Sequence, residues 1–137
     1  MTAFAAPERR TLLGFDYGTR RVGVAVGQTV TGSASPLAVL QAPKSPEFWQ
    51  QLDRLMSEWR PDALVVGLPL QADGSAGAIA RAAEAFADEL TARYGLAVAR
   101  VDERLTSWEA DRLARDVPES RRDAVAASLI LMTYLEG

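Results

Sequence analysis

The sequence predicts one α/β domain built on a mixed five-stranded sheet, in the element order β-β-β-α-β-α-β-α. Two short apolar runs near the start, residues 12–16 (LLGFD) and 22–26 (VGVAV), stand a few positions apart, as the arms of a hairpin do. The run Ala63–Leu68 (ALVVGL) is continuously apolar, the mark of a central parallel strand covered on both faces. Helical spacing of apolar residues begins only after a third strand, so the last two strands are each entered through a helix.

The elements follow in order. Residues 1–9 read as a loose tail. Tyr17-Gly18-Thr19 turns the hairpin, and residues 35–40 make the third strand. Ser45-Pro46-Glu47 opens a helix with a capping hydroxyl, a proline at the first position and an acid in the first turn. Phe48, Leu52, Leu55, Met56 and Trp59 then recur at helical spacing, and Pro61 ends the helix. An Ala-rich helix is expected from about residue 75 to 94, closed by Gly95. Residues 97–102 form the fifth strand, and Thr106 with Glu109 reads as a capping box opening a short helix that Pro118 breaks. The last helix, about residues 120–135, carries Val125, Leu129, Met132 and Leu135 as its apolar stripe.

Composition excludes more than it includes. The 137 residues are one domain's worth, with 48% hydrophobic and 24% charged residues. There is no His and no Cys, which removes His/Cys zinc sites, Ser-His-Asp triads and Cys-His nucleophiles. The lone lysine, Lys44, sits between prolines in a loop. Hydrolytic chemistry is left to carboxylates, Ser/Thr or Tyr hydroxyls, or a metal that carboxylates hold. No apolar run approaches the roughly 18 residues of a membrane span, and the first residues carry no secretory signal. The net charge of −3 does not advertise a nucleic-acid binder, but the cations are nearly all arginines, paired at 9–10, 20–21 and 121–122. Their planar forks match phosphate oxygens.

Sites in such sheets form at the carboxyl ends of the strands. Asp16 ends the first strand, beside Gly18, whose backbone can approach a phosphate, and Thr19, which can donate a hydroxyl. Asp102-Glu103-Arg104 ends the fifth strand and sets a ligand beside a cation. Asp123 opens the last helix; with Ser120 it also reads as a cap, while Ala124, Ala126 and Ala127 let the helix lie close to the sheet. The loop from Gly67 to Ser75 opens a helix whose amides can hold an anion, with Asp73 as a spare carboxylate. Three carboxylates around one crevice cannot all stay ionised without a cation. Divalent metal ions would resolve the repulsion and activate water against a phosphodiester.

Five segments together resemble the YqgF/RuvX family: residues 13–26 (LGFDYGTRRVGVAV), 65–69 (VVGLP), 73–75 (DGS), 102–106 (DERLT) and the Asp123-Ala124-x-Ala126-Ala127 run. They occur in the family's order from about residue 12 to 135. The resemblance implies an RNase H-like fold related to Holliday-junction resolvases, in which Glu103 supplies from strand five the acid that this superfold usually carries after strand four. It implies a cytoplasmic nuclease in 5′-end processing of pre-16S rRNA, dependent on Mg²⁺ or Mn²⁺. Asp16, Glu103 and Asp123 match the family's catalytic, metal-holding acids; Thr19, Arg20, Arg21, Arg104 and Ser75 are expected on phosphate. The partners are structured RNA or branched DNA, ribosome precursor particles and, for junctions, a second copy in a homodimer; no membrane is expected. Three rivals stay open: a branched-DNA resolvase, a non-catalytic ribosome-assembly module that binds nucleic acid, and an ATPase of the actin/hexokinase type, which needs two such domains.

Overall fold

The computed structural model describes residues 9–71, 73–105 and 117–136. The tail up to residue 8 and the capping box at Thr106 and Glu109 lie outside the described residues. The strands are β1 (Thr11–Tyr17), β2 (Arg21–Gln28), β3 (Ser33–Gln41), β4 (Ala63–Leu68) and β5 (Val98–Asp102). They form one sheet in the order β3-β2-β1-β4-β5. β1 runs antiparallel to β2 and parallel to β4, β2 is antiparallel to β3, and β4 is parallel to β5. The mixed sheet expected from the sequence is the one observed.

β1 lies at the centre of the sheet, and its alternate residues face two different cores. Leu13, Phe15 and Tyr17 face α1 (Pro46–Trp59) and α2 (Ala78–Tyr94), where Phe48, Leu52, Phe86 and Leu90 close the layer. The Phe15 and Phe86 rings meet edge to face at 5.7 Å. Leu12 lies on the opposite face with Ala25, Val65 and Val101, under Ala127, Ile130 and Leu131 of the last described helix, α3 (Arg122–Glu136). By the same alternation Asp16 belongs to the α3 face.

Local chemistry sets the element ends. Ser45 accepts from Phe48 N at the start of α1, and Arg60, at φ 45°, closes it ahead of Pro61. Gly95, at φ 67°, closes α2. Pro36 sits in β3, an edge strand, at the register shift opposite Val24 and Ala25, the kind of position where a residue without an N–H is tolerated.

Two expectations are corrected. α2 starts at Ala78, not near residue 75, because Ser75 donates its N–H and its hydroxyl to Asp73 Oδ1 (2.9 and 2.6 Å) and completes a turn instead. The stripe of Val125, Leu129, Met132 and Leu135 is only in part the face that α3 buries: Leu129 is buried and Leu135 packs against the core, but Met132 is 37% exposed, and Ala124, Ala127, Ile130 and Leu131 complete the buried face. The small residues win because α3 lies directly on glycines of the sheet. A Cβ built on Gly23 of β2 would stand 1.9 Å from the carbonyl oxygen of Asp123.

Gly23→Ala should therefore lower stability by roughly 1–3 kcal/mol or more, since backbone rather than a flexible side chain must give way. Urea denaturation measures it; an unchanged midpoint would mean that α3 does not rest on β2 at this point.

Candidate active site

Asp16 lies one residue before the end of β1 and pairs with Gly23 of β2. On its other side the β1–β4 register runs as far as Phe15↔Val66, so the next residue along β4 is Gly67. Asp16 thus stands between two glycines, and each vacant side-chain position is filled by one of the other two acids. Over Gly23 passes the backbone of Asp123 at the start of α3. Over Gly67 lie Ile130 Cδ1 of α3 and the side chain of Glu103, whose Oε1 would be 2.6 Å from a Cβ there.

Glu103 opens the short 3-10 turn Glu103–Leu105 directly after β5, and its Oε1 is buried. It shares a side-chain hydrogen bond with Asp16. Burial raises the Asp16 carboxyl most, the bond to Glu103 next, and the negative charges of Glu103 and Asp123 after that, to a pKa of about 9. At neutral pH Asp16 holds a proton in this arrangement, because burial penalises its charged form and the contact with Glu103 adds to that.

Asp123 is turned to the crevice, where its Oδ2 accepts from Arg21 Nε at 2.8 Å. The expected N-cap, Ser120, lies inside a 3-10 turn, Glu119–Arg121. Asp123 is near enough to raise the Asp16 carboxyl, yet among the described residues no three acids converge closely enough to grip one ion. Tyr17, Gly18, Thr19, Arg20 and Arg21 line one crevice with Pro69, Ile79, Glu103 and Asp123, of about 290 Å³.

Of the residues expected on phosphate, Thr19, Arg20 and Arg21 line this crevice; Arg104 and Ser75 do not. Arg104 lays Nε and Nη2 on Asp102 Oδ2 at 2.9 and 2.6 Å and reaches the carbonyl of Gln71 with Nη1 at 3.3 Å. It fastens the β4–α2 loop to the end of β5. Hydrogen bonding to Arg104 holds the Asp102 carboxyl below its usual range, and the bonds from Ser75 do the same for Asp73. Both acids are engaged locally, apart from the Asp16 cluster. Pro69, in the loop expected at the site, lines the crevice, and so does the half-exposed Ile79, which the sequence did not mark.

Residues 10–137 match the sequence family described as RuvX, Holliday junction resolvase. The chain belongs to this family. A RuvX relative from Azotobacter vinelandii, named "Putative pre-16S rRNA nuclease", is 50% identical over 132 residues, covering 92% of this chain and 93% of its own. One of the same name from Pseudomonas putida is 46% identical over 135 residues, covering 93% and 96%. Among solved structures, Thermus thermophilus RuvC in complex with a Holliday junction substrate superposes with a TM-score of 0.61 at 15% identity, over 91% of this chain and 93% of that one. The fowlpox virus Holliday junction resolvase gives 0.56 at 11% identity, over 92% and 98%. These two likenesses show the RuvX chain's fold, that of the RuvC-like, RNase H-like resolvases.

The raised Asp16 carboxyl sets a pH dependence. Its unfolded counterpart titrates near 3.8, so between about pH 4 and pH 9 the folded state binds more protons than the unfolded chain. Stability with chelator present should fall as pH rises through that window. Asp16→Asn should therefore melt several degrees above wild type at pH 8, with the gain shrinking towards pH 4. A gain that stays constant with pH, or a loss at pH 8, would contradict the shared proton.

Proposed function

We propose that this chain is a divalent-metal-dependent nuclease that hydrolyses phosphodiesters in 5′-end processing of pre-16S rRNA, working in the cytoplasm on structured RNA within ribosome precursor particles. The observation that carries the reading is the side-chain hydrogen bond between Asp16 and the buried Glu103, with Asp123 alongside. Acids so crowded are a cost to folding unless a cation joins them. The names of the relatives supply the RNA class. Among the described residues no helix is long and apolar enough to cross a membrane.

The donor set fits Mg²⁺ or Mn²⁺: oxygen ligands only, from Asp16, Glu103 and Asp123. When bound, such ions polarise the phosphodiester and lower the pKa of an attacking water. The chain's residues do the rest. Asp16 gives up its proton so that the acids act as one anionic site. Glu103 keeps its position through its seat over Gly67. Thr19, Arg20 and Arg21 stand where a phosphate entering the crevice would meet a hydroxyl and two guanidinium groups. Arg104 acts at one remove, by tying the loop behind Glu103. The family's description favours branched DNA as the second reading, for which a homodimer would present two sites to a junction.

The test sets pre-rRNA 5′ leaders, RNA duplexes and four-way junctions side by side with Mn²⁺ and with EDTA. Leaders should be cut, and EDTA should abolish cutting; full cleavage in EDTA overturns the metal reading. Asp16→Asn, Glu103→Gln and Asp123→Asn should each cost more than the ~10–100-fold that outer-shell partners of a metal cost. The losses should not add, since the three act as a unit. An Asp123→Asn protein that melts lower yet cuts at the wild-type rate would leave Asp123 a structural role only.

A further inference from the structure

Arg21 and Asp123 come from opposite ends of the chain and meet at the rim of the acid cluster, Nε to Oδ2 at 2.8 Å. The backbone of Asp123 is held against Gly23, so the carboxylate moves by side-chain rotation rather than by a shift of α3. Its negative charge is felt at Asp16, but it does not close with Asp16 and Glu103 into a three-acid cation site among the described residues. A guanidinium holds it where it is.

We propose that Arg21 is the resident counter-ion of Asp123, which an incoming divalent cation must displace, and that the displaced guanidinium then turns to the substrate phosphate. The inference rests on the metal reading above and adds the order of events at the rim. One hydrogen bond together with partial exposure makes the pair a holding contact. With 47% of the Arg21 side chain and 28% of the Asp123 side chain exposed, water screens it and it yields readily to a doubly charged ion. The described contact uses Nε, and a guanidinium carries five N–H donors in all, so the same side chain can serve a phosphate next. Arg104, clamped on Asp102 and Gln71, has no such latitude. Metal and phosphate then help one another, because each favours the opened pair.

Titration calorimetry with Mn²⁺ alone, on the full chain, tests this. Arg21→Gln should bind Mn²⁺ about two- to fivefold more tightly than wild type, the range that loss of an exposed pair implies. Arg21→Lys should stay near wild type. Arg20→Gln removes the same charge from the same crevice and should tighten binding distinctly less. Weaker or unchanged Mn²⁺ binding in Arg21→Gln would overturn the proposal, and so would equal tightening by Arg20→Gln, which reports only the general field. A wild-type chain that binds no Mn²⁺ would overturn the metal reading and this one with it. Normal wild-type binding with an unresponsive Arg21→Gln would overturn this one alone. Melting curves show that the variants are folded, and Arg21→Met replaces Arg21→Gln if the latter is not.

Discussion

The candidate site depends on two absent side chains. Gly23 and Gly67 flank Asp16 on the face of the sheet that α3 covers, and neither could carry even a methyl group without collision. One vacancy admits the backbone of α3 and so brings Asp123 to the centre of the sheet. The other admits the end of Ile130 and, beside it, the carboxylate of Glu103, which arrives from the end of β5, one strand further out. Protein interiors are close-packed, so space for a functional group must be opened by some residue's smallness. Here the opening lies in the sheet itself. That accounts for an acid from strand five standing over the end of strand four.

This arrangement opposes stability, and the layers around it compensate. The opposite face of β1 buries Leu13 and Phe15 under two helices, and the α3 face buries Leu12, Val65, Ile130 and Leu131. Burial of a large apolar side chain is worth roughly 1.5–3 kcal/mol each. A handful of such residues exceeds the penalty of holding Asp16 protonated beside Glu103. The sheet can therefore carry an electrostatically strained cluster at its carboxyl edge while its middle stays apolar. The strain is local, and it is of the kind that a cation removes.

Much of this was legible in the sequence, for identifiable reasons. Ala63–Leu68 could be read to the residue because a central strand is apolar throughout and bounded by Pro61 and Pro69. The helix Pro46–Trp59 was equally plain, since Ser45, Pro46 and Pro61 mark both of its ends. Strand ends and helix starts narrowed the candidate acids to Asp16, Asp73, the Asp102-Glu103 pair and Asp123, and it was the resemblance to the YqgF/RuvX family that singled out Asp16, Glu103 and Asp123. What failed was whatever depended on a partner distant in sequence. The buried face of α3 could not be chosen from its own periodicity, because the choice is made by Gly23, about 100 positions earlier. Ser75 looked like a helix start until the local competition of the Asp73 carboxylate was seen. Arg21 next to Arg20 looked like half of a basic pair, and nothing nearby announced its engagement with Asp123.

Arg21 and Arg104 show why residue type alone could not assign roles to the cations. Both flank a proposed metal-holding acid, and both were expected on phosphate. Arg104 can reach a carboxylate two residues away on its own strand end, and a bidentate fork with a further bond to a loop carbonyl fixes it there. Arg21 has no acid so close in sequence; its partner is delivered by the packing of α3 and is held through a contact that solvent weakens. Short sequence separation makes the first arginine part of the scaffold. Long separation and a single described hydrogen bond make the second one responsive to what enters the crevice. For an acidic domain with a net charge of −3, a cation that changes partners serves both the empty acids and the arriving phosphate without any need for a strongly basic surface.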